Sequence, residues 1–228
     1  YLAINKFMTQ QAFAGCFDAP SLIRTVPRIL THGLTNVNIL DLAPEDNTVP
    51  RFANFVDFIP RFSTSCAQLI EGVNKDEDPS HTVAWTIIGS PLATVAMPLV
   101  LLPNDKLPET VGRGTTGGSA LCRYGLKLKE RLFPLRTKTR SSYIDVAQLV
   151  NRKGNGILQL IRPIEDELMD KGTALVNDLR NEKEGNKKEG YKKDGNKKDV
   201  YKAFADYYSW ADGVIKEQYE KRILKVKR

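Results

Sequence analysis

The chain has 228 residues, of which 41% are hydrophobic and 27% are charged, so it is long enough to bury the core of a single domain. Its net charge of +7 is concentrated, because residues 185–199 carry +3 and residues 221–228 carry +5, which leaves −1 elsewhere. This argues against nucleic-acid binding, which uses a basic face of a folded domain. The longest apolar run, Leu92 to Leu102, is about half the ~20 residues that a membrane-spanning helix needs, so no such helix is predicted.

Apolar residues at helical spacing predict a first helix over Tyr1 to Ala14 and a second that begins at Pro20 and ends at Gly33, with Pro27 as a point of bending. The following segment, Leu34 to Pro60, has no periodicity. We predict a long ordered loop there, because large apolar side chains along it need burial, namely Phe52, Phe55, Phe58 and Ile59.

Three strands are predicted next, at about Thr64 to Val73, Thr82 to Ile88 and Thr94 to Leu102, joined by turns that contain proline. Because they follow one another closely, they predict a sequential antiparallel sheet. The second and third strands are almost continuously apolar, which is typical of strands that are covered on both faces.

Helical periodicity then dominates the chain. It predicts a basic helix over Ser119 to Phe133, which Pro134 ends. A shorter element is predicted over Tyr143 to Val150, with Asp145 and Gln148 on its outer side and apolar residues available for the core.

Two long amphipathic helices are predicted at the C-terminal end. One carries an apolar stripe from Ile157 to Leu179, with a short turn up to Pro163, and the other covers Val200 to Lys225. Between them a five-residue unit, GNKKE-GYKKD-GNKKD, is repeated without an aliphatic side chain. Such a segment cannot bury enough surface to offset its ordering entropy, so we predict a charged flexible insertion over residues 182–199 within a single domain of residues 1–228.

Few residues offer metal or acid–base chemistry. Cys16, Cys66 and Cys122 are too widely spaced for a ligand pair, and His32 and His81 belong to no HExxH-type motif. We therefore predict no metal or cofactor site, and we expect both histidines to be surface or capping residues.

Three other motifs have both a structural and a functional interpretation. Gly112 to Gly117 matches GxGxxG, but no buried strand precedes it, which favours a flexible surface loop over a nucleotide site. The acids Glu165 to Glu167 follow a proline, which favours capping in a first helical turn over acid–base catalysis. Arg61, Ser63 and Thr64 stand at the predicted start of a strand, where they either line a substrate pocket or satisfy backbone groups.

Several short strings follow one another along the chain: His32 to Thr35, Phe58 to Ser65, Ile70 to Val73, Trp85 to Gly89 and Gly156 to Glu167. In this order they resemble the C-terminal half of a Bacteroidetes group of N-terminal-nucleophile hydrolases. That group is similar to acyl-coenzyme A:6-aminopenicillanic acid acyltransferases and linear amide C–N hydrolases. The resemblance extends from about Tyr1 to Ile223, apart from the charged repeat.

The resemblance implies an α+β fold that is part of a four-layer αββα sandwich, with an antiparallel sheet and long C-terminal helices. It also implies a cysteine nucleophile, freed by cleavage of a Gly-Cys bond, whose α-amino group is the base. Gly15-Cys16 is such a dipeptide, but Phe17 follows where a small hydroxyl residue is typical, so the nucleophile is expected on an upstream segment. Because the chain begins at Tyr1, we interpret it as a fragment or a processed form.

Three hypotheses about function are open. The chain is the C-terminal portion of an amide hydrolase or acyltransferase, with the upstream segment as partner, a small amide or acyl substrate, and Arg61, Ser63 and Thr64 in the pocket wall. Alternatively, it is a catalytically silent binding or structural domain with the same fold. The third hypothesis is a polyanion or membrane-surface binder that uses Lys187 to Lys198 and the basic C-terminus. Homo-oligomerisation, and export through a signal peptide on the missing N-terminal part, are left open by the sequence.

Overall fold

The computed structural model describes residues 2–14, 17–75, 77–102, 107–114, 117–135, 143–188 and 194–226. The helices in these ranges are α1 (Leu2–Ala14), α2 (Ala19–Thr25), α3 (Ala120–Leu132), α4 (Val146–Leu149), α5 (Ile157–Lys188) and α6 (Asp194–Lys221). The strands are β1 (Phe52–Asn54), β2 (Cys66–Glu71), β3 (Val83–Ile88), β4 (Ala96–Val100) and β5 (Tyr143–Asp145). Short 3₁₀ helices cover Val26–Arg28, Ile39–Leu42, Pro79–His81 and Ile223–Lys225. The fold is therefore α+β, with small antiparallel sheets and long C-terminal helices, as predicted.

A three-stranded antiparallel sheet is formed by β2, β3 and β4, with β3 in the centre. Leu69 pairs with Trp85, and Trp85 pairs on its other side with Pro98. The predicted strands and their sequential antiparallel order are therefore confirmed, although each strand is slightly shorter than predicted.

The cover of this sheet differs from strand to strand. All five residues of β4 and four of the six residues of β3 are buried, which confirms the predicted cover on both faces. On β2 the residues alternate between exposed and half-buried, and Ile70 is 61% exposed. Since alternate residues point to opposite faces, one face of β2 lies against α2 and the other, with Cys66, Gln68 and Ile70, faces solvent.

The two edges of the sheet also differ. On the outer side of β4, Ala96 N–H donates to Glu165 Oε1 at 2.6 Å. Val100 N–H donates to the Tyr208 hydroxyl at 2.7 Å, and Pro98 between them has no N–H. Side chains of α5 and α6 therefore close this edge, whereas no strand of the described ranges pairs with the outer edge of β2.

Helix α5 contacts both outer strands of the three-stranded sheet. It packs against β4 and α6, and its Gly172 lies so close to Pro98 that an added Cβ would be 2.4 Å from the proline Cγ. Farther along, Arg180 pairs with Glu71 of β2 at 2.7 Å, and Trp85 Nε1 donates to the same carboxylate at 2.8 Å. One helix is thus fixed to both outer strands.

A second sheet pairs β1 with β5 and places Ala53 opposite Ile144. The residue pattern predicts a loop at β1 and a single short element from Tyr143 to Val150, so this sheet is not among the predicted elements. Both strands have only three residues, which is too short for an alternating pattern to appear.

Asp145 and Gln148 are 0% and 2% exposed, so their predicted outer position is wrong. Asp145 Oδ1 accepts hydrogen bonds from the N–H groups of Ala147 at 3.2 Å and Arg51 at 3.1 Å. Gln148 Oε1 accepts from Arg131 of α3 at 3.0 Å. These hydrogen bonds satisfy Asp145 Oδ1 and Gln148 Oε1 and so offset the cost of burying the two oxygens.

The second predicted helix ends earlier than the apolar stripe suggests. α2 ends at Thr25, and the chain continues as the 3₁₀ helix Val26–Arg28. Pro27 has no N–H, so the run of α-helical hydrogen bonds stops before it, although Val26 still has a helical backbone conformation. The predicted extension to Gly33 is therefore wrong.

The two C-terminal helices reach into the predicted charged insertion. α5 continues to Lys188 and α6 begins at Asp194, while the middle of the insertion, residues 189–193, lies outside the described residues. None of the described helices, these two included, has the length and apolar composition needed to cross a membrane.

Replacing Gly172 with alanine is expected to lower the free energy of unfolding by about 1–3 kcal/mol, because the added Cβ would push α5 away from Pro98. Gly213→Ala is the matched control, since Gly213 is also helical but has nothing within 4 Å of an added Cβ. Alanine there should raise stability by up to ~1 kcal/mol through helix propensity. Urea unfolding measures both effects, and equal effects would contradict the close packing of α5 on β4.

Buried tyrosines predict a loss of stability in alkali. Burial raises the pKa of Tyr208 from 10.0 to about 12, and burial also raises the pKa of Tyr207 and of Tyr219. Above about pH 10 the unfolded chain loses phenolic protons that the folded chain keeps. This stabilisation is therefore complete below about pH 10 and is lost as the pH rises towards the folded-state pKa.

Tyr208→Phe removes one of these ionising groups. Between about pH 9 and pH 11, we expect the variant to lose ~1.4 kcal/mol less unfolding free energy than the unmodified chain. Urea unfolding at the two pH values gives this difference. An unchanged pH dependence would show that Tyr208 ionises equally easily in both states.

Candidate functional site

The three predicted pocket residues lie in the turn that leads into β2. Thr64 Oγ1 accepts a hydrogen bond from Arg61 N–H at 3.0 Å, and Thr64 N–H donates to the Arg61 carbonyl at 3.0 Å. Thr64 is half-buried, whereas Arg61 and Ser63 are exposed. Thr64 therefore closes the turn, and the other two side chains lie on the surface at the start of β2.

Two cysteines belong to the described residues. Cys66 of β2 is an exposed free thiol, and Cys122 of α3 is a half-buried free thiol. Cys16, the candidate nucleophile of the sequence analysis, lies outside the described residues.

The glycine-rich motif follows a segment that is anchored by a carboxylate. Asp212 of α6 accepts hydrogen bonds from Glu109 N–H at 2.7 Å, Thr110 N–H at 2.8 Å and the Thr110 hydroxyl at 2.6 Å. Two amides that lead towards Gly112 thus already bind an anion from the chain itself, which argues against a phosphate there. Residues 115–116 of the motif lie outside the described ranges.

The histidines have different surroundings. His32 Nδ1 accepts hydrogen bonds from Leu34 N–H at 3.3 Å and Thr35 N–H at 3.1 Å, which confirms its predicted capping role. His81 ends the 3₁₀ helix Pro79–His81 and is only 5% exposed, so a surface position for it is wrong.

The prediction that the three consecutive acids, Glu165 to Glu167, lie in a first helical turn is wrong. Helix α5 begins before Pro163 and runs through it, so the acids lie inside the helix. Asp166 pairs with Arg24 of α2 near the surface. Glu167 forms an exposed ion pair one turn along the helix. Glu165, in contrast, is 2% exposed.

Glu165 is the centre of a buried ion-pair network. Its two oxygens accept hydrogen bonds from Arg28 Nη1 and Nη2, both at 2.7 Å, and Oε1 also accepts from Ala96 N–H at 2.6 Å. Arg28 donates further to the carbonyls of Pro91 at 2.6 Å and Thr94 at 2.8 Å. Because protein groups satisfy both charges, the pair has a structural role rather than a catalytic one.

A cleft of about 470 Å³ lies between the 3₁₀ helix Ile39–Leu42, residues 150–152 and the first turns of α5. Its apolar lining consists of Leu40, Ala43, Val150, Leu158 and Pro163. Its polar lining consists of Asn151, Arg152, Gln159, Arg162 and Asp166. Small-molecule sites commonly have volumes of about 300–1,000 Å³ and a mainly apolar lining with a few polar groups, so this cleft is our candidate binding site.

One wall of the cleft is held by internal hydrogen bonds. Gln159 Oε1 accepts from the N–H groups of Asn151 and Gly156, both at 3.1 Å, and Gln159 Nε2 donates to the Asn151 carbonyl at 2.8 Å. Gly156 approaches the backbone so closely that an added Cβ would lie 2.5 Å from the Leu149 carbonyl oxygen. These contacts fix the loop before α5, so the wall is already formed without a ligand.

Most charges at the rim of the cleft are paired. Asp166 is bound by Arg24, and Arg152 lies 3.9 Å from Glu45 in an exposed pair. The Arg162 side chain is exposed and forms neither a hydrogen bond nor an ion pair with another residue in the described part of the chain. The rim therefore has one guanidinium group in excess.

This cleft is not among the sites predicted from the sequence. Arg152 and Arg162 are not among its candidate residues, because an arginine beside an apolar helical stripe is normally part of a solvated face. The available signal is the Gly-Asn-Gly segment, where Gly154 has φ +74°, a conformation that favours glycine. This turn is what allows Arg152 and α5 to line one cleft.

The described part of the chain contains no group of three or more histidine, cysteine, aspartate or glutamate side chains that could hold a metal ion. No family model, no curated protein and no solved structure matches this chain.

Glu165→Gln is expected to lower the free energy of unfolding by about 3–5 kcal/mol, because Arg28 would keep its charge in a buried place without a carboxylate. Glu167→Gln is the matched control on the same helix. Its pair with Lys171 is exposed, so we expect a loss of only ~0.3–0.5 kcal/mol. Urea unfolding gives both values, and similar small losses would rule out a structural role for the buried pair.

Proposed function

We propose that this chain is the C-terminal segment of an amide C–N bond hydrolase or acyltransferase of the N-terminal-nucleophile type. In this proposal it supplies helices, part of a four-layer αββα sandwich and part of the pocket wall. The nucleophilic cysteine belongs to an upstream segment of the same precursor. The first support is the ordered set of strings between residues 32 and 167 that resembles this group.

The observation that carries the proposal is the asymmetry of the three-stranded sheet. Its β4 edge is closed by side chains of α5 and α6, whereas its β2 edge is open in the described structure. One face of β2, with Cys66, Gln68 and Ile70, is also exposed. A layered α+β domain buries its central sheet, so a sheet that is closed at one edge and open at the other is expected in part of a larger domain. A further strand from an upstream segment would complete it.

Arg61 and Ser63 acquire a role in this arrangement. They are exposed in the turn before β2, so a strand added to the edge of β2 would run beside them. A guanidinium and a hydroxyl group at that place could donate hydrogen bonds to the carbonyl oxygen of a linear amide. Thr64 would keep the turn closed.

The proposed chemistry is that of an N-terminal cysteine. Its sulfur attacks the amide carbonyl carbon, while the α-amino group takes the thiol proton and passes it to the departing amine. The acyl-cysteine that remains is released by water as a carboxylic acid, or by an amine acceptor as a new amide. The reaction needs no cofactor.

A catalytically silent binding or structural domain with the same fold is the second candidate. The observation in its favour is that none of the residues lining the described cleft is a cysteine, serine or histidine. In that case the upstream segment would lack a Gly-Cys junction, and the precursor would remain uncleaved.

Production of the chain together with its upstream segment tests the proposal. We expect intact-mass spectrometry to find a fragment that begins with cysteine, and we expect the preparation to hydrolyse members of a panel of N-acyl amides. Alanine in place of the upstream cysteine should abolish cleavage and hydrolysis, whereas Cys16→Ala should preserve both. A precursor that is never cleaved and hydrolyses no amide would support the silent domain instead.

Arg61→Ala in the same precursor should lower kcat/KM roughly 10–100-fold, as expected when a hydrogen bond from a charged group is lost, without affecting cleavage. Arg113→Ala, which removes another exposed arginine, is the matched control and should leave kcat/KM unchanged. Equal values of kcat/KM for the two variants would contradict the proposal that Arg61 belongs to the pocket wall.

A further inference from the structure

We propose that the cleft beside α5 binds an amphiphilic molecule with a single carboxylate. The three supporting features are an apolar floor, a wall that is already formed and one unpaired guanidinium at the rim. Binding there does not depend on the proposed amide chemistry, because it requires no nucleophile.

The floor of the cleft suits an alkyl or aromatic group. Among its apolar lining residues, Leu40 is 45% exposed, whereas Val150 and Leu158 are 6% and 9% exposed. An apolar tail that enters would cover Leu40 and replace the water that now touches it. Pro163 adds a further apolar surface on the α5 side.

The wall of the cleft needs little rearrangement to accept a ligand. The amide of Gln159 holds Asn151 and Gly156 in place through three hydrogen bonds of 2.8–3.1 Å. A site that is ordered before binding loses less conformational entropy when the ligand enters.

The charges at the rim select an anion. Arg162 and Asp166 are four residues apart on α5, a spacing at which opposite charges usually pair. Here Asp166 is bound by Arg24 instead, and Arg162 has no ionic partner in the described structure. Arg152 is already close to Glu45. A ligand would therefore meet one guanidinium whose charge is not neutralised.

One free guanidinium matches one negative charge. Its planar fork donates two parallel hydrogen bonds to a carboxylate, which is a geometry that an ammonium group does not offer. A doubly charged phosphate would bring a second negative charge close to Asp166 and Glu45 without a second free cation to balance it. The geometry therefore favours a monocarboxylate over a phosphate ester.

Calorimetric titration of the whole chain with octanoate and with octan-1-ol tests this ligand class. Both have the same alkyl tail, so the difference in affinity reports the carboxylate. We expect saturable binding of octanoate, about tenfold or more tighter than octan-1-ol, and a smaller difference at high salt because Arg162 is exposed.

Three exposed positions supply variants that should fold. Arg162→Gln is expected to weaken octanoate binding by about tenfold or more and to leave octan-1-ol binding unchanged. Arg113→Gln, an exposed arginine that does not line the cleft, is the control and should change octanoate affinity by less than about twofold. Leu40→Ser should weaken both ligands, because it removes part of the apolar floor.

Several outcomes would overturn the proposal. Equal affinities for octanoate and octan-1-ol would contradict recognition of a carboxylate. An Arg162→Gln variant with unchanged octanoate affinity would contradict the role of Arg162 in binding it. Octyl phosphate that binds about tenfold tighter than octanoate would show that the site selects a dianion. A Leu40→Ser variant with unaltered binding would place the ligand elsewhere. Absence of amide hydrolysis would change none of these results, so the two proposals fail separately.

Discussion

The buried ion pair between Arg28 and Glu165 joins parts of the chain that are far apart in sequence. Glu165 belongs to α5, Arg28 to the 3₁₀ helix after α2, and the Ala96 N–H that shares the carboxylate begins β4. Each buried charge would be costly without its partner, so the three segments can be displaced only together. With Glu165 fixed at the start of β4, α5 continues along the strand and brings Gly172 against Pro98.

The positions of α5 and α6 also determine which edge of the sheet can pair with a further strand. Glu165 and Tyr208 take the N–H groups of Ala96 and Val100, so no strand can pair along β4. The helices that give the sheet its core therefore also end it on that side, and any additional strand must join at β2. The exposed turn with Arg61 and Ser63 precedes that strand, and this is why the proposed pocket wall and the proposed upstream segment belong to one region.

The sequence predicts the elements whose burial repeats with a regular period. Helix α3 and the three strands of the larger sheet have long apolar patterns, so their bounds are predicted to within about two residues. The positions of α5 and α6 are also predicted, but α5 runs through Pro163 and ends at Lys188 instead of Leu179, and α6 begins at Asp194 instead of Val200. A periodic pattern reports only on residues that are close in sequence. It therefore cannot reveal the pairing of β1 with β5, which lie about 90 residues apart, or the buried hydrogen bond between Asp145 and the Arg51 N–H. Pro163 leads to the prediction that Glu165 lies in a first helical turn, and no local pattern indicates its buried pair with Arg28, which is 137 residues away.

The free charge of the candidate cleft follows from these distant contacts. From sequence spacing, Arg162 and Asp166 would be expected to pair on α5 and leave the rim neutral. The pair between Arg28 and Glu165 instead brings α2 alongside α5, where Arg24 takes Asp166. Arg162 then keeps its charge at the rim of a cleft with an apolar floor, an arrangement that favours an anion with an apolar tail. A structural ion pair in the core thus determines the charge that the surface cleft presents.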